Sequence, residues 1–180
     1  MQHISRINRE LKYTGTMIEI YSDTISVPNG NIAHWDFVKH KGAAAVIPIT
    51  DDGKVVMVRQ YRNALDRETL EIPAGGLNSE DEPTIDAAAR ELEEETGYKS
   101  NDLELLITVA TTVAFCNEKI DIYLARNLIQ SKQNLDEDEY VEVEEYTVDE
   151  LVDMIYAGKI NDSKTIAAIM AYKNKYVNIK

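Results

Sequence analysis

The stretch from Pro73 to Gly97 leaves the backbone few choices. Gly75-Gly76 interrupts a short strand that ends at Pro73, Pro83 suits a first helical turn, and Gly97 suits the position just past a helix end. The run between them, TIDAAARELEEET, contains no internal glycine or proline. The order is therefore strand, glycine loop, helix. On a wheel of roughly 100° per residue, Ile85, Ala88, Ala89, Leu92 and Thr96 form the expected buried stripe. Glu91, Glu94 and Glu95 gather on a neighbouring side, and Glu93 is expected in solvent. Each like-charge neighbour at this spacing costs about 0.2–0.5 kcal/mol on an exposed helix. Arg90, four residues before Glu94, offsets part of that cost but cannot neutralise three carboxylates. Two readings follow: a solvated charged face, or a seat for a hard divalent cation such as Mg²⁺, which takes oxygen ligands and shares its shell with substrate phosphates.

The flanking segments supply a sheet for this helix. Residues 16–28 read as extended, Pro28-Asn29-Gly30-Asn31 as a turn, and Ile32 to Lys39 as the returning strand. Ala43 to Thr50 and Val55 to Gln60 flank the hairpin turn Asp51-Asp52-Gly53. Strands are expected again near 68–72, 103–111 and 120–125. Helices are expected over 147–157 and from Asp162, a capping residue, to about Tyr176. This makes an α+β chain with a mixed sheet between helices, an α/β/α arrangement. A strand-rich element over 1–40 precedes a main domain over 41–180.

Charge narrows the functional classes. Nineteen basic residues stand against 32 acidic ones, a formal charge of −13. A nucleic-acid surface needs clustered Lys and Arg, and anionic membranes are disfavoured for the same reason. A phosphorylated small molecule remains accessible if bound cations reverse the local field. The single cysteine, Cys116, rules out a disulfide within the chain. The N-terminal residues lack an apolar signal segment, no apolar run is long enough to span a bilayer, and a cytoplasmic protein is expected. His3, His34 and His40 carry no ligand pattern.

The spacing around the glutamates is specific. Gly76, five residues, Glu82, seven residues, then Arg90-Glu91-Leu92, one residue, Glu94-Glu95, one residue, Gly97 and Tyr98 resembles the Nudix box of the Nudix hydrolases, with Tyr98 where a bulky aliphatic is usual. The resemblance implies a Nudix-like fold and hydrolysis of a nucleoside diphosphate linked to another group. It implies that Glu91, Glu94 and Glu95 bind Mg²⁺, or Mn²⁺ in its place, with Glu94 and Arg90 among the catalytic residues. Glu82 and Arg90 would brace the loop and helix, with Glu82 near the metal through water. The Ala74 or Gly75 carbonyl would reach a metal, and Gly76 would open the loop.

Two further stretches resemble the ADP-ribose pyrophosphatase branch. VMVRQYRNALDRETLEIPAGG, residues 56–76, places Arg62 to contact substrate phosphate or ribose, Arg59 as a second candidate, and Glu71 to organise the site. TTVAFCNEKIDIYLA, residues 111–125, places Glu118 as a loop glutamate able to act as general base. Val113 and Ala114 stand where the branch has Pro and Gly. The acidic run Asp136 to Glu145 is expected in solvent, with a minor part in shaping the site. The implied substrate is a small nucleotide, ADP-ribose or a relative, and the implied assembly a homodimer formed through the N-terminal strands.

Overall fold

The computed structural model describes residues 3–135, 137 and 139–177. Its centre is β4 (Ala43–Pro48), a strand buried along its whole length. β4 lies between β7 (Ala74–Gly76) and β10 (Lys119–Arg126), pairing parallel with β10 and antiparallel with β7. β9 (Asp102–Ala110) completes this mixed four-stranded sheet antiparallel to β10. A second sheet joins β12 (Val141–Tyr146), β5 (Val55–Arg62) and β6 (Arg67–Glu71), all antiparallel. Continuous apolar runs, rather than alternation, mark strands covered on both faces, and β4 shows why. Ala44 packs with Ala87 and Ala88, and Val46 with Leu92, all from α1 (Thr84–Thr96). Ala43, Ala45 and Ile47 face the larger core. That core includes Leu151 and Val152 of α2 (Val148–Tyr156) and Ala168 and Ile169 of α3 (Ser163–Tyr172). The expected α+β architecture, a mixed sheet between helices, is present.

The first strands form a sheet of their own. β1 (Ser5–Thr14), β2 (Glu19–Ser26) and β3 (Ile32–Lys39) pair antiparallel in chain order. The strand-rich character expected over 1–40 is present, with β1 a strand whose pairing carries register shifts between Arg6 and Asn8 and between Leu11 and Tyr13. Two short strands, β8 (Tyr98–Lys99) and β11 (Ile129–Gln130), pair beyond α1.

α1 ends as its sequence dictates. Gly97 is left-handed, at φ 70°, and its N–H bonds Glu93 O at 3.0 Å. A Cβ there would lie 3.0 Å from the Gln133 nitrogen, so close chain approach adds to the demand for glycine. Pro83 stands before the helix rather than in its first turn, with no side-chain cap. The buried stripe also differs from the wheel. Ala87, Ala88, Glu91, Leu92, Glu95 and Thr96 are buried, while Ile85 is 42% exposed and Ala89 only partly covered. The face turned inward is shifted so that two glutamates go with it. Burial of a leucine contributes about 1.5–3 kcal/mol, and Leu92, Ala87 and Ala88 together offset the cost of carrying the two glutamates inward.

α3 is fastened to β6 by polar contacts. Asp162 caps α3 by accepting from Thr165 N at 3.0 Å, and Thr165 Oγ1 accepts from Ile72 N at 3.0 Å. Lys164 Nζ donates to Glu71. Glu71 also accepts from Arg62 Nε at 2.9 Å, Arg62 Nη2 at 2.7 Å and Thr69 Oγ1 at 2.6 Å. Burial opposes ionisation of Glu71, but the Arg62 hydrogen bonds and the Lys164 charge overcome it and hold the carboxyl at about 2. The unfolded carboxyl takes its proton near 4.5, so this stabilisation is complete above that pH and is lost as pH falls toward 2. Denaturant midpoints should therefore drop through that window, with a slope from this group of up to about 1.4 kcal/mol per pH unit. In Glu71→Gln that part of the slope should vanish, while the variant is less stable at neutral pH by about 3–5 kcal/mol.

Candidate active site

α1 carries its carboxylates to the edge of β7. Glu95 Oε2 accepts from Ala74 N at 3.0 Å. Glu91 lies against Gly75, where any Cβ would collide with its carboxylate. Gly75 is therefore glycine because an acidic side chain occupies the space beside it. Arg90 gathers the helix and the loop: Nη1 donates to Glu91 Oε1 at 2.5 Å and Glu94 Oε2 at 3.1 Å, and Nη2 to Gly76 O at 3.2 Å. Glu82 lies 3.5 Å from Arg90 Nε and accepts from Asn78 N at 2.5 Å. The bracing expected of Arg90 and Glu82 thus has specific contacts, with Gly76 supplying a carbonyl to the brace.

The electrostatics of this cluster are unbalanced. Burial, then the neighbouring Glu91 charge, pushes Glu95 up to about 8, against the Ala74 N–H bond. Burial also raises Glu91, opposed by Arg90 and reinforced by Glu94. Glu139, from the acidic stretch before β12, raises both. Within the run read as solvated, Asp136 and Asp138 lie outside the described residues. Glu139 is exposed, yet its charge reaches the helix. Its signal in the sequence was submerged among equivalent neighbours. Glu93 is not simply solvated, since it accepts from Ser131 Oγ.

Does this donor set fit a divalent cation? Two buried carboxylates that burial and mutual repulsion drive toward the protonated form are short of positive charge, and their hard oxygens suit Mg²⁺. Among the described residues no three acidic side chains converge as a ready-made ligand group; Glu91 and Glu94 are engaged by Arg90, and Glu95 by Ala74 N. The residues present fit a metal that draws on Glu91, Glu94 and Glu95 in exchange for the Arg90 contacts. Ala74 presents its N–H to Glu95, and Gly75 is the β7 residue beside Glu91.

A cleft of about 600 Å³ opens beside this cluster, with Ala74, Gly75 and Gly76 in its wall. Arg62 and Glu71 line it, as does Glu118. Glu118 Oε2 accepts from Thr111 Oγ1 at 2.7 Å, and Oε1 lies 3.4 Å from His40 Nδ1. Because that Nδ1 accepts from Gly42 N at 3.0 Å, a neutral His40 has no proton there to give Glu118. Arg59 is not brought to the cleft. It alternates with Arg62 along β5, and its Nε donates to Glu144 Oε1 of β12 at 2.5 Å. Arg59 is engaged in a surface ion pair with a neighbouring acid and is not among the residues lining the cleft. Lys164 and His40, which do line the cleft, carried no sequence signal: one sits in an ordinary amphipathic helix, the other near a turn.

The comparisons with known proteins agree with this geometry. The NUDIX domain model matches residues 39–169. An ADP-ribose pyrophosphatase of Bacillus subtilis is 39% identical over 97% of this chain and 92% of its own length. The methanol dehydrogenase activator of Bacillus methanolicus is 43% identical over 91% of this chain and 89% of its own. A crystal structure of an ADP compounds hydrolase superimposes with a TM-score of 0.85 at 21% identity, covering 97% of this chain and 94% of that one, which shows a shared fold. The chain belongs to the Nudix hydrolase family and is a Nudix pyrophosphohydrolase.

Proposed function

We propose that this enzyme hydrolyses the pyrophosphate bond of ADP-ribose or a related nucleoside diphosphate sugar with Mg²⁺, giving AMP and a sugar phosphate. One observation carries the reading: the buried, charge-deficient pair Glu91 and Glu95 lies against Ala74 and Gly75, at the wall of a cleft that also presents Arg62. The likeness to ADP-ribose pyrophosphatases supports the substrate class.

Glu91, Glu94 and Glu95 would hold the cation, with the Ala74 or Gly75 carbonyl as a further oxygen donor. When bound, the cation would polarise the phosphate oxygens and lower the pKa of an attacking water. The chain's own residues do the remaining work. Arg62 fixes a phosphate oxygen through a charge-assisted hydrogen bond, and Glu71 fixes Arg62. Glu118, in the same cleft, accepts a proton from water, held ready by Thr111. Arg90 and Glu82 keep the box loop and α1 in register.

The exposed Ile7, Leu11, Tyr13 and Trp35 on β1 and β3 support a homodimer formed through an N-terminal element over 1–40. Likeness to a methanol dehydrogenase activator supports a second reading, in which the same hydrolytic centre acts on a dinucleotide cofactor in the service of a partner enzyme.

A panel of nucleoside diphosphate sugars, dinucleotides and dinucleoside polyphosphates, assayed with Mg²⁺ and with Mn²⁺ and resolved by chromatography, tests the substrate. ADP-ribose should be cleaved to AMP, and absence of AMP would sink the reading. Glu94→Gln and Glu95→Gln should each lower kcat by about a hundredfold or more, equivalent to about 2.7 kcal/mol of lost transition-state stabilisation. Circular dichroism should be unchanged, because glutamine mimics the neutral acid that burial already favours at Glu95. Glu118→Gln should slow turnover by about 10²–10⁴-fold while leaving Mg²⁺ affinity, read by calorimetry, intact; full activity would remove Glu118 as the base.

A further inference from the structure

We propose that Lys164 is a positioning residue for substrate binding, neutralising Glu71 from the helix side so that the charge of Arg62 stays directed into the cleft. This rests on reading the cleft as a nucleoside diphosphate site. Glu71 has a side chain only 3% exposed and is gripped at both oxygens by Arg62. That pair is already neutral. Lys164 adds a second cation to the same carboxylate, with its own side chain 9% exposed. Burying an ammonium carries a desolvation cost that needs a return.

Fastening α3 is not a task for Lys164 alone. Thr165 already bonds Ile72, and Ala168 and Ile169 already pack in the core. Nor does Asp162 balance the charge alone. The oxygen that meets Lys164 Nζ at 3.0 Å also accepts from Thr165 N and Thr165 Oγ1, as part of the helix cap, and this side chain is 23% exposed. The return is on the other side of Glu71. Arg62 Nε and Nη2 are held by Glu71, while Nη1 makes no hydrogen bond with any described residue, and the side chain is 39% exposed at the cleft.

Without Lys164, a phosphate oxygen would have to compete with the full charge of Glu71 for Arg62. With it, the group formed by Arg62, Glu71, Lys164 and Asp162, which pairs with Lys164 at 3.0 Å and also lines the cleft, is neutral; without it the group carries a net negative charge. In a chain of formal charge −13, with Glu118 in the same cleft, that difference of one charge decides how strongly an anion is repelled from Arg62. Arg62 also feels the charge of Glu95. The grip of Glu71 keeps it from closing on the carboxylates that must stay open.

The test uses the full chain with ADP-ribose and Mg²⁺. Lys164→Met should raise KM about tenfold with kcat held within about twofold, since Lys164 touches no reacting atom. Lys164→Arg should restore most of the affinity. Added salt should raise KM more steeply in wild type than in Lys164→Met, because screening acts on the charge the variant lacks. An unchanged KM in Lys164→Met overturns the proposal, and so does a parallel loss of kcat and folding that Lys164→Arg does not restore. Calorimetry with ADP alone separates this from the substrate reading. If wild type cleaves nothing in the panel, the substrate reading fails, yet weaker ADP binding by Lys164→Met still supports the role of Lys164. Equal ADP binding by the two proteins overturns it.

Discussion

Two glutamates buried side by side, with their carboxylates set against the backbone of β7, are the constraint around which the rest of this molecule is arranged. Burying Glu91 and Glu95 with one arginine for company is unfavourable by itself. It persists because the same helical face carries Ala87, Ala88 and Leu92 into the sheet. The apolar packing fixes the rotation of α1, and that rotation delivers the carboxylates to Gly75 and Ala74. Gly75 accepts them because it has no Cβ to collide with Glu91. Arg90 limits the repulsion while tying Glu91, Glu94 and Gly76 together. The stability of the fold thus holds the acidic edge in a state that a divalent cation would relieve.

The surroundings of the cleft are polarised as a result. Behind its Ala74–Gly75 wall lie the buried glutamates, short of positive charge. Elsewhere the wall presents Arg62, held by Glu71. On the proposed reading, one part of a pyrophosphate's charge would meet the guanidinium, and the rest would be matched by a cation held on the glutamates. Arg59 shows how strict the placement is. It lies three residues from Arg62 and on the opposite face of the same strand, where it makes an ion pair with Glu144 instead. A side-chain period of two decides which arginine faces the cleft.

The sequence was most legible where backbone chemistry leaves no alternative. The strand–glycine–helix run, the left-handed Gly97, the Asp162 cap and the covered strand β4 could all be read from residue type and spacing. The inward face of α1 was read one step out of place. A wheel that sends apolar residues inward cannot anticipate that Glu91 and Glu95 are buried while Ile85 stays exposed. Lys164 and Glu139 were illegible for a different reason. Each acts on a partner far along the chain, Glu71 for one and the α1 glutamates for the other. No local pattern distinguishes such a residue from a solvated neighbour.

Val113 and Ala114 raise the question of what holds the loop that carries Glu118 when proline and glycine are missing. Val113 is 84% exposed and contributes no anchor. The restraint comes from β3. Val38 N donates to Phe115 O at 2.7 Å, and Asn117 N to Val38 O at 3.3 Å. The Asn117 side chain then brackets the His40 backbone, accepting from its N–H at 2.8 Å and donating to its carbonyl at 3.2 Å. Thr111 closes the loop onto Glu118 itself. Four hydrogen bonds to one strand end restrain the chain where a fixed proline φ would otherwise help. The cost of the substitution is therefore carried by β3, and the position of Glu118 depends on the N-terminal sheet as much as on the domain that bears the glutamates.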